Sequence, residues 1–271
     1  MAVQRIANAF RRAKQEGRAA FIAYLTAGYP SLGTTRALVE RLAACGVDLI
    51  ELGIPFSDPL ADGPTIQWAS AEALRRGVTM RKILDLVRAV RRRCDVPLVA
   101  MGYVNPLYQY GLPRFCRDAV EAGFDGVIVP DLPPEEAGDL VRAARSVQLG
   151  TIFLAAPTSP VARLRKIAAC STGFIYCVSL TGVTGARHRL PREAADQIRA
   201  LRKITTLPIA VGFGVSRPEQ VRWLSQVADG VIVGSAIVKT ITRGIGDPQL
   251  VSRVERFMRP LVKAIGRGGA I

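Results

Sequence analysis

The sequence predicts a (β/α)8 barrel, and three observations carry that prediction. Eight short apolar runs, rich in Val and Ile and with little alternation, recur along the chain. Such runs read as strands buried on both faces, which belong to parallel sheets. Segments with helical spacing of apolar residues lie between them. The length of 271 residues suits the roughly 250 that eight such alternations need. A doubly wound sheet is the alternative architecture. Eight alternations, and no G-x-G-x-x-G after the first run, favour the barrel. No linker or shift in composition divides the chain, so residues 1–271 read as a single domain.

The elements follow in order. "MAVQRIANAFRRAKQEGR" is an amphipathic basic helix that lacks the apolar core of a signal peptide. Glu16 and the tight junction with the first strand argue against a transit peptide. Strand 1 is "AFIAYLTAG" (20–28), and a helix follows in "LGTTRALVERLAACG", with Gly46 as its stop. Strand 2 is "VDLIELG" (47–53). Two helical segments, "GPTIQWASAEALRRGVT" and "MRKILDLVRAVRRR", precede strand 3, "PLVAMGY" (97–103). Strand 4 is "GVIVPDLP" (126–133), with a helix in "LPPEEAGDLVRAARSVQ". Strands 5 and 6 are "GTIFLAAP" (150–157) and "GFIYCVSLTG" (173–182), the latter followed by helical "LPREAADQIRALRKI". Strand 7, "PIAVGFGV" (208–215), leads into "SRPEQVRWLSQVADG", where Ser216 reads as the N-cap and Pro218 as an early helical residue. Strand 8, "GVIVGSA" (230–236), runs into the start of a short helix. The extra helices beyond the eightfold pattern are expected at the N-terminus and after strand 2.

Composition narrows the function. Hydrophobic residues make up 49% and no low-complexity stretch appears, so a folded core is expected rather than disorder. No apolar run approaches the roughly 18 residues of a membrane span. Five cysteines, none in a C-x-x-C pair, lie mostly inside apolar runs and read as reduced core residues of a cytoplasmic protein. The net charge of +15 can signal nucleic acid or an anionic membrane. Here the basic residues are mostly arginines dispersed over many helical segments, densest at Arg91-Arg92-Arg93. No basic stretch is interleaved with aromatics that could stack on bases. The charge therefore reads as an Arg-rich solvated surface, with a polyanion-binding barrel as the second class of function.

In such a barrel, reactive groups sit at the C-terminal ends of the strands and in the loops beyond. "ELGIPFSDPLADGP" puts Glu51 near the end of strand 2 and Asp58 and Asp62 in the loop after it. Glycines and small hydroxyls in "SLTGVTGARHRLP" (179–191), "GFGVS" (212–216) and "GSAIV" (234–238) follow strands 6, 7 and 8. They let backbone N–H groups approach an anion, and the helix start after strand 8 adds a favourable dipole. His188 is the sole histidine, so a multi-histidine metal site is excluded. Lys239 is the one lysine near a strand end and lies within the short helix.

"ELGIPFSDPLADGPTIQ", "MGYVNPLYQYG", "PDLPPEE", "TGVTGAR", "GFGVS" and "VGSAIVK" resemble the tryptophan synthase alpha chain family, in order and over nearly the whole length. The resemblance implies cleavage of indole-3-glycerol phosphate to indole and glyceraldehyde 3-phosphate, a retro-aldol reaction without Schiff base or metal. It implies Glu51 as the acid–base group and Asp62 as the carboxylate beside the ring N–H. It implies a phosphate cup of Gly185, Gly214, Gly234 and Ser235. It places Tyr24, Met101, Ile128, Leu154, Tyr176 and Phe213 around the indole, with Thr184 bonding near Asp62 when the loops after strands 2 and 6 close. Phe56, Asp58, Asn105 and Pro106 fall at a partner face. The implied partner is a pyridoxal-phosphate-dependent beta chain in an alpha2-beta2 heterotetramer, with no cofactor in this chain. A stand-alone indole-releasing lyase is the alternative. Tyr24 departs from the phenylalanine of some members, Leu180 stands where some carry arginine, and His188 receives no role.

Overall fold

Eight parallel strands close into a barrel in sequence order, each paired with its chain neighbours and β8 with β1. The computed structural model describes residues 2–178, 192–212 and 214–266. The strands are β1 (Ala20–Thr26), β2 (Leu49–Gly53), β3 (Leu98–Met101), β4 (Gly126–Ile128), β5 (Gly150–Ala155), β6 (Ile175–Val178), β7 (Ile209–Gly212) and β8 (Gly230–Val233). Each lies inside the apolar run expected for it, and all are shorter. The ladder sets their ends: β3 and β4 pair only over Val99–Met101 and Gly126–Ile128, after which the chain turns into the loops above.

Helix α1 (Ala2–Gln15) precedes the barrel, and α2 (Leu32–Ala44) joins β1 to β2. Gly46, just past the Cys45 cap, takes φ +96°, the left-handed conformation that stops a helix. Helices α3 (Pro64–Arg75) and α4 (Met80–Arg91) are the two segments anticipated after β2. Two further pairs follow: α5 (Val104–Tyr110) with α6 (Leu112–Ala122) after β3, which were not anticipated, and α11 (Ser235–Arg243), the short helix expected after β8, with an unanticipated α12 (Leu250–Lys263). In α5, Pro106 occupies the first turn, where its missing N–H costs nothing. The remaining connections carry α7 (Gly138–Ser146), α8 (Val161–Cys170), α9 (Arg192–Arg202) and α10 (Pro218–Leu224). The N-cap of α10 is Arg217, not Ser216. The Gln220 side chain accepts both backbone N–H groups, at 2.9 Å from Ser216 and 3.0 Å from Arg217, so capping comes from inside the helix.

The N-terminal end of the barrel is plugged. Ile6, Phe10 and Ala13 of α1 join one buried cluster with Ile22, Leu49, Val99, Ile128, Ile152, Ala210 and Ile232 from the strands and Phe174 just before β6. Phe10 meets Phe174 with ring centroids 5.5 Å apart. Gly126 and Gly230 make room for the plug: a Cβ there would stand 3.0 Å from Ile6 Cδ1 and from Phe10 Cε1 respectively.

At the same end, a polar residue preceding each even-numbered strand ties the neighbouring strand pair. Asp48 accepts Phe21 N–H at 2.8 Å, Asp125 accepts Leu98 N–H at 2.9 Å, and Asp229 accepts Ile209 N–H at 2.9 Å. Thr172 accepts Thr151 N–H at 2.9 Å in the equivalent place. Arginines neutralise the three carboxylates: Arg18 and Arg12 on Asp48, Arg5 and Arg91 on Asp125, Arg202 on Asp229.

Candidate active site

Glu51 is the middle residue of β2, deeper than a rim position. It sits opposite Tyr24 of β1 and Val99 of β3 in the ladder. Alternation puts it on the same inward face as Leu49, which belongs to the inner cluster. Its side chain is 1% exposed, and Oε1 has no hydrogen-bond partner among the described residues. Burial alone pushes the carboxyl up to about 8, because nothing compensates the charged form. At neutral pH the group therefore holds a proton.

Asp62 hangs over it from the loop after β2. Tyr103, the residue before α5, donates its hydroxyl hydrogen to Asp62 Oδ2 at 3.0 Å and accepts Ala61 N–H at 3.0 Å. Burial raises the Asp62 pKa, and the Tyr103 bond opposes that rise by favouring the carboxylate. Burial, then the Asp62 charge, pushes the Tyr103 phenol well up, so it stays a donor.

The loop is tied down further. Phe56 packs on Tyr103 with centroids 5.4 Å apart. Phe56 N–H donates to Ser70 Oγ at 2.8 Å, and Ser70 donates back to Phe56 O at 3.0 Å. Gln67 Nε2 donates to the carbonyls of Pro59 and Asp62. Asp58 is exposed at the tip. Of the other partner-face residues, Asn105 is exposed and Pro106 half-buried, both on α5 rather than in a loop.

Several residues expected around an apolar slot lie near one another. Met101, Leu154 and Tyr176 pack half-buried on the inner cluster, where Leu154 and Tyr176 are register partners. Ile128 is fully buried within that cluster, so it can only underlie the slot. Tyr24 is buried in the upper barrel. Burial, then Glu51 and Asp62, raises the Tyr176 phenol pKa well above its ordinary value. Two glycines make this possible: a Cβ on Gly53 would fall 2.0 Å from the Tyr24 hydroxyl, and one on Gly212 would fall 2.7 Å from that of Tyr176.

At the ends of β7 and β8, Gly214 is exposed with φ +63°, and Gly234 is the N-cap of α11. Ile237 and Val238 N–H bond to Gly234 O, while the amides of Ser235 and Ala236 have no carbonyl four residues back within the helix. Such a helix start suits an anion. Lys239 lies exposed farther along α11. Gly185, Thr184 and Phe213, with Leu180 and His188, fall outside the described residues. Among the described residues, no group of three or more His, Cys, Asp or Glu could hold a metal ion.

Tyr103, Ser70, Gln67 and Gly53 are the residues sequence reasoning missed. Gly53 and Gln67 lie inside the long motif that begins in β2 and runs past it, and Tyr103 ends the apolar run of β3, where side chains face the mouth.

The chain matches the family described as Tryptophan synthase alpha chain over residues 10–265. It is 49% identical to the tryptophan synthase alpha chain of Geobacter sulfurreducens over 264 residues, covering 97% of this chain and 100% of that one. Identity to the Geotalea uraniireducens alpha chain is also 49%, covering 97% and 100%. A Mycobacterium tuberculosis tryptophan synthase structure superposes with TM-score 0.89 at 38% identity, covering 97% of this chain and 98% of that chain. The tryptophan synthase alpha chain structure from Legionella pneumophila subsp. pneumophila gives 0.89 at 34%, covering 98% and 99%. With a closed eight-stranded barrel, a protonated carboxyl buried in its second strand and a family match spanning nearly the whole chain, this protein belongs to the tryptophan synthase alpha chain family.

Proposed function

We propose that Glu51 and Asp62 carry out the reaction of this family in this chain. The reaction is the retro-aldol cleavage of indole-3-glycerol phosphate to indole and glyceraldehyde 3-phosphate, with indole passed to a beta chain. The observation that carries the assignment is the Glu51 carboxyl, buried, its Oε1 without a hydrogen-bond partner among the described residues, and raised to about 8. Cleavage needs a proton delivered to indole C3 and a proton taken from the carbinol oxygen as the aldehyde forms. A carboxyl that is protonated at neutral pH can give the first and, once ionised, accept the second. Protonation of C3 leaves positive charge on the ring, and Asp62, whose carboxylate form the Tyr103 bond favours against burial, would stabilise it at the ring N–H. Gly214, Gly234 and Ser235, with Gly185, would receive the phosphate. Met101, Leu154, Tyr176 and Tyr24, with Phe213 and Thr184, would enclose the indole, and Ile128 would support them from below.

The chain carries no cofactor of its own; pyridoxal phosphate belongs to the beta-chain partner. We place the docking face around Phe56, Asp58, Asn105 and Pro106. Leu60, Trp68 and Tyr108, which are 83%, 60% and 62% exposed, lie on the same β2 loop, α3 and α5, and support docking there. An alpha2-beta2 assembly, a single domain over 1–271 and a cytoplasmic location complete the proposal. No described helix is long and apolar enough to cross a membrane.

The alternatives are a stand-alone lyase and a polyanion-binding barrel. Indole release from indole-3-glycerol phosphate, with and without a beta chain, tests the main reading against the first. No release under either condition would refute it. A steep salt dependence of nucleic-acid binding near physiological salt would favour the second.

A further inference from the structure

Tyr24 stands opposite Glu51 in the β1–β2 ladder and is 6% exposed. Its ring leans across to β2, where a Cβ on Gly53 would meet the hydroxyl at 2.0 Å and Cζ at 2.6 Å. Gly53 is the next inward position after Glu51 on β2. The phenol hydroxyl thus occupies the space at Gly53, one inward position beyond Glu51. On its other side, a Cβ on Gly234 would stand 3.3 Å from Tyr24 Cβ, so the ring also adjoins the start of α11.

The hydroxyl accepts a long bond, 3.5 Å, from Thr26 Oγ1. Among the described residues, its own proton has no acceptor within hydrogen-bond distance. Burial, then the Asp62 charge, raises its pKa, so it is a neutral donor at any working pH. A phenylalanine would fill the same slot; what the hydroxyl adds is one buried donor in search of an acceptor.

The substrate's chemistry narrows that acceptor. The indole N–H can only donate, and the phosphate belongs at the ends of β7 and β8. Between the carboxyls and that cup runs the glycerol chain, whose hydroxyl oxygens accept. We propose that the Tyr24 hydroxyl is a specificity-determining donor to a hydroxyl oxygen of the substrate's glycerol chain. The proposal rests on the reading that the barrel binds indole-3-glycerol phosphate.

The test compares Tyr24 with Tyr24→Phe in a Glu51→Gln background, which binds without turnover. Two probes are titrated: indole-3-glycerol phosphate and 3-(indol-3-yl)propyl phosphate, the same skeleton without the chain hydroxyls. Loss of one neutral hydrogen bond should weaken the hydroxylated probe about three- to tenfold. Affinity for the deoxy probe should stay unchanged. Equal weakening of both probes would make the hydroxyl a support of the pocket and overturn the proposal. No weakening of either would overturn it as well. If the Tyr24 protein binds neither probe, the underlying function fails and takes this proposal with it. That outcome is distinct, because the other two require measurable binding to the parent.

Discussion

Replacing Glu51 by Gln keeps the side chain's shape and removes its proton. General acid–base groups contribute about 10²–10⁴ in rate, and a group acting in both proton transfers should lie near or beyond the top of that range. Lyase turnover of Glu51→Gln should therefore nearly vanish while stimulation of a beta chain persists. Both are measurable on one preparation, and turnover within tenfold of the parent would mean the acid is another residue. The same carboxyl makes stability depend on pH. Its folded pKa, about 8, lies above the ordinary 4.5. Below the lower value both states are protonated and no penalty exists. As pH rises from there to about 8, only the unfolded state ionises, so the parent loses stability, by about 5 kcal/mol at the limit. The stability of Glu51→Gln relative to the parent should grow across that window and level off above it, as denaturant melts at several pH values would record. A flat difference would contradict the buried, uncompensated carboxyl. Tyr103→Phe removes the bond that favours the Asp62 carboxylate. The acid limb of the rate profile should move to higher pH, and an unmoved limb would remove Tyr103 from the site. Glu51 was legible in the sequence because a carboxylate inside an apolar run is a chemical anomaly. Tyr103 was not, because a tyrosine ending such a run looks like core until folding brings it to a residue 41 positions away.

Helix α11 begins at its N-cap Gly234, directly after β8 and next to the end of β7, the strand that β8 pairs with. An aspartate at Gly214 would have to adopt φ +63°, and one at Gly234 would crowd Tyr24, so either change mixes strain with charge. Ser235→Asp separates them. The residue is exposed at the first helical position, where a carboxylate stabilises the helix. Thermal stability should hold or rise while the Michaelis constant for the phosphorylated substrate increases severalfold. An unchanged Michaelis constant would move the phosphate elsewhere. At this scale the existence and order of the strands were readable from uninterrupted Val/Ile runs. Their lengths were not, because each strand ends where its neighbour's register ends. Both helices after β3 and the second after β8 escaped too; α5, the first of these, is only seven residues long and carries a proline in its first turn.

Closure of the barrel creates contacts that no local stretch announces. An aspartate before an apolar run reads as a turn residue, yet Asp48, Asp125 and Asp229 each bridge two strands at the N-terminal end. Asp125→Ala would leave Arg91 half-buried and unpaired and Leu98 N–H without its acceptor. Breaking such a buried pair costs about 3–5 kcal/mol. Unfolding should shift by that order while turnover per folded molecule is retained, since the change lies at the opposite end from Glu51. Loss of turnover without loss of stability would contradict this division of the barrel. The arginine surplus is also organised at this scale. Asp139–Arg142, Asp85–Arg88 and Glu255–Arg259 pair within single helices, as a solvated surface would.

Among the described residues, the plug that α1 sets beneath the strands fills the end of the barrel opposite the mouth. With Ile6 and Phe10 buried there, exchange of the Glu51 proton is expected through the mouth above. Once substrate covers that opening, the site works from a fixed inventory of one hydron. In heavy water, the label delivered to indole C3 would then record the isotope that Glu51 held when the mouth was covered, not the solvent that arrived later. A helix at the opposite end of the barrel from the mouth would thus give the enzyme an isotopic memory.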